Sequence, residues 1–269
     1  MPDPVAIAWA LVAASAAAAG VAIVGAGLAR VLAVERVRAI AWPVAVATGM
    51  VTGGLLLGIR PVGLPGIDRD RFLLIVVPIV TAVEALVAAL RPADWLRWIL
   101  RFLIAASIAP VLLFGSVFLV APPPPAGMGW SAMERGLGFG TVPLVVVAQW
   151  AAAVTLDRRR PGLLVPPAVA TAAIATGVAT IVTGYLSAGL LAIALGAAVV
   201  GAWLVSVPVV RAPAEGGIVV ALACQAATLV SGHFFGALPA WMAAGLLALP
   251  ALPWLAEAFR ALAGRNVRP

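Results

Sequence analysis

The sequence has no lysine, one histidine (His233) and one cysteine (Cys224) among its 269 residues. Without lysine, the chain has neither the lysine of a phosphate-binding loop nor a Schiff-base nucleophile. One histidine and one cysteine cannot build a tetrahedral zinc site, an iron–sulfur cluster or a disulfide within the chain. We therefore expect a protein that is not an enzyme and that carries no cofactor.

Charged residues are scarce as well, at 10%, whereas 64% of the residues are hydrophobic and the mean hydropathy is +1.15. A soluble domain has about 25% charged residues, so this composition cannot cover a water-exposed surface. The basic residues are all arginines and lie in short runs between apolar segments, which is typical of membrane loops. The sequence predicts an all-α, polytopic transmembrane helix bundle that contacts the lipid bilayer and binds no nucleic acid.

Crossing a bilayer takes about 20 apolar residues in a helix. The charge-free stretch from Leu163 to Val210 is too long for one crossing, so we divide it at residues 183–189, where glycines and a serine permit a helical hairpin. The proline-rich residues 121–138 are predicted to form an outer loop. Residues 1–269 then form a single membrane domain with nine spans, at 5–29, 39–59, 72–90, 99–120, 139–156, 163–185, 186–210, 217–235 and 240–259.

The orientation follows from the arginines. With nine spans, most of the 17 arginines fall on one side of the membrane, and that side is predicted to be cytoplasmic. The N-terminus is then outside and the C-terminus is cytoplasmic, in a bacterial plasma (inner) membrane. Pro250 and Pro253 interrupt the last segment, and eight spans remain if it does not cross.

Glu84 lies well inside the third apolar segment, where a carboxylate is costly and is by default a functional candidate. Arg91 follows seven residues later on the same helical face, and Arg101 begins the next segment, so both are candidate ion-pair partners. Glu84 is interpreted either as a coupling carboxylate in transport or as half of a structural ion pair.

Uncharged polar residues also lie inside predicted spans. Hydroxyl groups in membrane helices commonly bond to carbonyls of their own helix, and amides join neighbouring helices. The alternative is a weakly polar lining for a substrate path. The residues concerned are Gln149, Gln225, and the one-faced series Thr176, Thr180, Thr183 and Ser187.

Two GxxxG spacings occur in the second span. They are Gly49 with Gly53, and Gly54 with Gly58. Such spacings allow helix backbones to approach closely. They predict tight packing against another helix, either of this chain or of a second copy in a homo-oligomer.

His233 lies at the outer end of the eighth span, on the predicted side of Met128 and Met133. Thioether and imidazole ligands suit Cu(I), but the spacing matches no metal motif. A hydrogen bond from His233 to backbone or lipid headgroups is therefore the favoured interpretation, and no metal site is predicted.

Two functions fit this sequence. One is a permease-like protein that moves a small or hydrophobic solute, with Glu84 as the coupling carboxylate. The other is a non-catalytic, membrane-embedded subunit or scaffold of a larger membrane complex. The scarcity of polar residues argues against a site for sugars or amino acids.

Overall fold

The computed structural model describes residues 3–32, 34–64, 66–116, 118–119, 132–159, 161–209, 214–255 and 257. The secondary structure within these ranges is helical throughout. The helices are α1 (Pro4–Val31), α2 (Glu35–Leu56), α3 (Asp68–Leu90), α4 (Asp94–Leu113), α5 (Ala132–Arg159), α6 (Val165–Val182), α7 (Leu186–Val209), α8 (Glu215–Phe235) and α9 (Ala240–Leu255).

Among the described helices, α1 to α8 are long and apolar enough to cross a membrane, whereas α9 is shorter. A helix satisfies its backbone hydrogen bonds internally, which a segment in hydrocarbon must do. The prediction of an all-helical bundle is confirmed for the described residues, as is the presence of several helices long and apolar enough to cross a membrane. The choice between eight and nine spans, and the orientation, stay predictions.

Two helix boundaries differ from those predicted. Helix α4 ends at Leu113 rather than near residue 120, because Phe114 is extended and Gly115 has a φ of +69°. Helix α5 begins at Ala132, so the last residues of the predicted outer loop 121–138 are helical. Alanine, methionine, glutamate and arginine, which open α5, are good helix formers. Residues 120–131 lie outside the described residues.

Helices α1, α2 and α7 meet along a seam of small residues. A Cβ atom added to Gly49 would lie 2.6 Å from the Ala14 carbonyl oxygen and 2.7 Å from the Ala198 Cβ. At Gly53 it would lie 2.9 Å from two further alanine Cβ atoms, and at Gly54 it would lie 2.6 Å from Leu191. The first three glycines of the paired motif therefore pack against helices of this same chain.

Gly58 has a different role from the close packing predicted for it. It follows the C-terminus of α2 with a φ of +79°, and an added Cβ would have nothing within 4 Å. This left-handed conformation favours glycine. Gly58 therefore ends the helix rather than admitting a neighbour.

Helix α8 occupies the centre of the bundle. It contacts α2, α3, α4, α5, α6, α7 and α9, and most of its residues are buried. We call the end of the bundle where α8 begins the Glu215 end, and the opposite end, where Tyr185 joins α6 to α7, the Tyr185 end. Under the predicted orientation the Glu215 end is cytoplasmic.

Candidate functional site

Glu84 of α3 forms a buried, bidentate ion pair with Arg101 of α4. Arg101 Nε donates to Glu84 Oε1 at 2.9 Å and Nη2 donates to Oε2 at 2.8 Å. The side chains are 1% and 0% exposed, respectively. The Trp98 ring lies 5.0 Å from the guanidinium carbon and covers it. Bidentate geometry of this kind fixes both side chains and holds α3 against α4.

Arg101 also faces a second carboxylate. Its Nη1 lies 3.0 Å from Glu215 Oε1, at the first residue of α8. Arg158 of α5 donates to the same carboxylate, with Nη2 2.9 Å from Oε2, and Arg97 Nη1 lies 3.5 Å away. We call Glu84, Arg97, Arg101, Arg158 and Glu215 the charge cluster. It joins α3, α4, α5 and α8 at the Glu215 end.

The N-terminus of α8 favours this accumulation of carboxylates. A helix N-terminus carries a partial positive charge, which stabilises nearby anions. Glu215 is the first residue of α8, and a Cβ added to the next residue, Gly216, would lie 3.6 Å from Glu84 Oε2. An added Cβ at Gly216 would be in ordinary van der Waals contact with Glu84 Oε2, which places the carboxylate beside the start of α8.

Asp157 positions the start of α8 from the side of α5. Its carboxylate accepts hydrogen bonds from the backbone nitrogens of Gly162 and Ala214, both at 3.0 Å. The side chain is fully buried. Asp157 thereby ties the chain after α5 to the residue that precedes Glu215.

Of the two predicted partners of Glu84, the structure brings Arg101 to it and not Arg91. Arg91 is exposed at the end of α3, in a left-handed conformation with a φ of +48°. The sequence analysis did not find Glu215 or Asp157. Glu215 had a detectable signal, since it is an acidic residue at the start of an apolar segment on the side predicted to be rich in arginine.

The two glutamines hold α9 in place. Gln225 Nε2 donates to the Leu246 carbonyl at 3.0 Å and to Thr176 Oγ1 at 3.2 Å. Gln149 Nε2 donates to the Leu247 carbonyl at 2.5 Å. Pro250 has no N–H with which to continue the α-helical bonding to Leu246, and the chain passes into a 3₁₀ turn there. The amides therefore bond to carbonyls where α9 is interrupted.

The predicted hydroxyl face on α6 bonds mainly to its own helix. Thr180 Oγ1 donates to the Thr176 carbonyl at 2.7 Å, and Thr183 Oγ1 donates to the Ala179 carbonyl at 2.9 Å. Thr176 and Thr180 are fully buried, and Ser187 at the start of α7 is half-buried. Thr180 and Thr183 therefore stabilise their own helix. Thr176 accepts from Gln225, and Ser187 forms a hydrogen bond with the Tyr185 side chain, so the hydrogen bonds described for this face do not involve Glu84.

An apolar cavity of about 350 Å³ lies between α4, α5, α8 and α9. Neither Glu84 nor the two glutamines are part of its wall. His233 stands in the wall at the Tyr185 end of α8, with the Phe234 ring 4.9 Å from its own. Representative wall residues, mostly small and apolar, are Ala105, Ile108, Val146, Ala226, Leu229 and Ala243.

His233 bonds to backbone: its Nδ1 lies 2.8 Å from the Leu238 carbonyl oxygen. Among the described residues there is no group of three or more histidine, cysteine, aspartate or glutamate side chains that could hold a metal ion. Met128 and the side chain of Met133 lie outside the part of the chain that the structure describes. The copper alternative therefore gains no support from these residues.

A second polar group lies at the Tyr185 end. The Tyr185 hydroxyl donates to Asp68 Oδ1 at 2.5 Å. Burial, and then the hydrogen bond and charge of Asp68, raise the pKa of Tyr185. Arg71 donates to the Leu112 carbonyl at 3.1 Å and the Gly66 carbonyl at 2.7 Å. These bonds tie α3 to α4 and to the turn before α7, and the sequence analysis did not identify them.

No protein-family model, curated protein or solved structure matches this chain. Two features of the described bundle stand out. One is the apolar cavity between α4, α5, α8 and α9, which is partly open to the surface. The other is the charge cluster that joins α3, α4, α5 and α8 at the Glu215 end.

Proposed function

We propose that this protein is a permease-like carrier of small hydrophobic solutes. The apolar cavity is the solute site, and the Glu84–Arg101 ion pair is a closed gate beside it. The observation that carries the proposal is the stacking of the cavity on the charge cluster along α4 and α8. A bundle with only a structural role has no need of such a space next to a buried ion pair.

The stacking follows from helical spacing. Arg101, Ala105 and Ile108 recur at intervals of four and three residues, so they share one face of α4. Ala105 and Ile108 are in the cavity wall, and four residues rise about 6 Å along a helix. The cavity wall on α4 therefore begins about one turn from the backbone of Arg101, whereas His233 stands toward the Tyr185 end.

The wall composition favours hydrophobic solutes. The cavity volume lies within the range of about 300–1,000 Å³ common for ligand pockets. His233 and Thr141 are the only polar side chains of the wall that the structure describes. A sugar or an amino acid would lose its hydration there without gaining replacement hydrogen bonds, which costs several kcal/mol.

Arg101 allows the gate two arrangements, one in which it pairs with both Glu84 and Glu215 and one in which it pairs with Glu215 alone. It faces Glu84 through two hydrogen bonds and Glu215 at ion-pair distance. A proton taken up by Glu84 removes its charge and weakens the bidentate pair, and Arg101 keeps Glu215 as its counter-ion. Helix α3 can then separate from α4 without leaving a buried arginine unpaired, which is the main cost of breaking such a pair.

Proteoliposomes containing a trapped pH dye test the proposal. With wild-type protein, alkylbenzenes or medium-chain alcohols added outside should drive solute-dependent proton entry, above that of protein-free vesicles. Glu84→Gln should abolish this proton entry. Asp94→Asn, which removes a carboxylate that is 76% exposed and 3.3 Å from Arg97, should preserve it and is the matched control.

The result that would overturn the carrier proposal is equal proton entry with wild type, Glu84→Gln and empty vesicles. Thermal unfolding of each variant in detergent checks that loss of flux does not reflect loss of fold. A stoichiometric partner in gentle detergent extracts, together with absence of flux, would support the subunit alternative instead.

A further inference from the structure

We infer that the cavity selects amphiphiles with a hydroxyl head group, such as alkylphenols and medium-chain alcohols, and that His233 Nε2 accepts the hydrogen bond of that hydroxyl. The inference deepens the proposed function, because it rests on the cavity being the solute site. It concerns the chemistry of the solute, which the apolar wall alone does not specify.

The tautomer of His233 follows from its partner. A backbone carbonyl can only accept a hydrogen bond, so Nδ1, 2.8 Å from the Leu238 oxygen, carries the hydrogen. In a neutral imidazole the other nitrogen, Nε2, is then an acceptor. The bond to Leu238 also fixes the orientation of the ring. Nε2 therefore presents a lone pair in a defined direction.

Nε2 is available to a ligand. The side chain of His233 is exposed, and no described residue makes a hydrogen bond to Nε2. The Phe234 ring packs against the imidazole in a T-shaped arrangement, with centroids 4.9 Å apart. His233 thus belongs to a wall in which Thr141 is the only other polar side chain that the structure describes.

The size of the cavity limits the apolar body of the ligand. At about 30 Å³ per water-sized atom, a volume of about 350 Å³ holds about a dozen non-hydrogen atoms. An alkylphenol of that size fits with its hydroxyl at His233 and its chain among Ala226, Leu229 and Ala243. The Phe139 and Phe234 rings in the wall suit an aromatic head group.

The preference for a hydroxyl arises from the cost of leaving polar groups unpaired. A site that accepts a hydrogen bond from the ligand rejects an analogue that cannot donate one. A net hydrogen bond contributes about 0.5–1.5 kcal/mol, which corresponds to an affinity ratio of about two- to tenfold. A phenol should bind more tightly than its methyl ether by that ratio.

Displacement of the small fluorescent probe 1-naphthylamine, whose size suits the cavity, from protein in lipid nanodiscs tests this, with empty nanodiscs as background. 4-Hexylphenol should displace the probe at about two- to tenfold lower concentration than 4-hexylanisole. His233→Leu should bring the ratio to one, because neither compound can then form a hydrogen bond at this position. His233→Gln, which retains an acceptor, should restore part of the preference.

Ala226→Phe, which fills the cavity, separates the two proposals. If it abolishes displacement by both compounds, the cavity is the binding site. Equal affinities for phenol and anisole in wild type, or a phenol preference that survives His233→Leu, would overturn the role of His233 while leaving the cavity as the solute site. Failure of both compounds to displace the probe from wild type, or displacement insensitive to Ala226→Phe, would overturn the proposed solute site itself.

Discussion

The two sides of the bundle around α8 are packed in different ways. Helices α1, α2, α6 and α7 form an interlocked half, in which glycines lie directly against neighbouring backbones: an added Cβ on Gly177 would be 2.6 Å from the Gly189 carbonyl oxygen. Helices α4, α5 and α9 form an open half, which surrounds the apolar cavity with α8. The first half leaves only a shallow groove, open at the surface between α1 and α7, whereas the second leaves a deeper space for a small molecule.

This difference shows which half can move. Interlocked small residues resist displacement, because any shift brings backbones into collision or opens a void. The open half is held by specific polar contacts instead: the charge cluster at the Glu215 end and the two glutamine amides on α9. Conformational change in this protein is therefore expected around the cavity, with α1, α2, α6 and α7 as the fixed frame.

The largest effect is expected from Arg101→Leu, which leaves Glu84 buried without its partner. Breaking a buried pair in this way costs about 3–5 kcal/mol of the free energy of unfolding, so the unfolding temperature in detergent should fall by about 10 °C. The double variant Glu84→Leu/Arg101→Leu should recover most of the loss. Arg91→Leu, at the exposed end of α3, is the control and should change little.

A smaller loss in the free energy of unfolding is expected from Gly49→Ala in the interlocked half. Its new Cβ would lie 2.6 Å from the Ala14 carbonyl oxygen, and overpacking of this kind costs about 1–3 kcal/mol. Gly245→Ala in α9, where a Cβ would have nothing within 4 Å, should cost nothing. Thermal unfolding of the two variants compares the halves directly, and equal losses would contradict the distinction between them.

Gln225→Leu should loosen the open half selectively. It removes the hydrogen bonds to Leu246 and Thr176, each contributing about 0.5–1.5 kcal/mol. Hydrogen–deuterium exchange should accelerate in α9 while the exchange of α1 stays unchanged. Uniform acceleration across both helices would show that Gln225 supports the whole bundle rather than α9.

The smallest effect in energy concerns Tyr185, the only tyrosine in the chain, so tyrosinate absorbance near 295 nm reports on this residue alone. Burial and Asp68 raise its pKa above the ordinary value of about 10. The folded protein should therefore show little tyrosinate at pH 10–11, whereas the denatured protein should show it. Since the folded state keeps the proton, its stability is fully present below pH 10 and falls as pH rises above that value. Ordinary titration in the folded protein would contradict the burial of Tyr185.

The helical bundle was predictable because hydropathy is a local property of the sequence. The ion pair was only partly predictable. Helical spacing and the adjacent span proposed Arg91 and Arg101 for Glu84, but Glu215 lies far along the chain, and its proximity to Arg101 depends on where α8 packs. The contact between Asp68 and Tyr185 was not predictable for the same reason, because these residues also lie far apart in the sequence.

The glutamines show a second limit of prediction from the sequence. Their burial in membrane spans followed from composition, and it implied partners in neighbouring helices. One partner is a side chain, Thr176 Oγ1 on α6. The others are the backbone carbonyls of Leu246 and Leu247, where Pro250 interrupts α9. Side-chain patterns do not identify free carbonyls, although a proline inside an apolar segment indicates where one arises.

The attachment of α9 has a consequence for how the protein is made. Pro250 interrupts α9 and frees carbonyls that need hydrogen-bond donors from outside the helix. Its docking site consists of amides on α5 and α8, which exist only after those helices have come together. We therefore expect α9 to dock after α5 and α8 have met, and a bundle that lacks α9 would leave the Gln149 and Gln225 amides without these carbonyl partners.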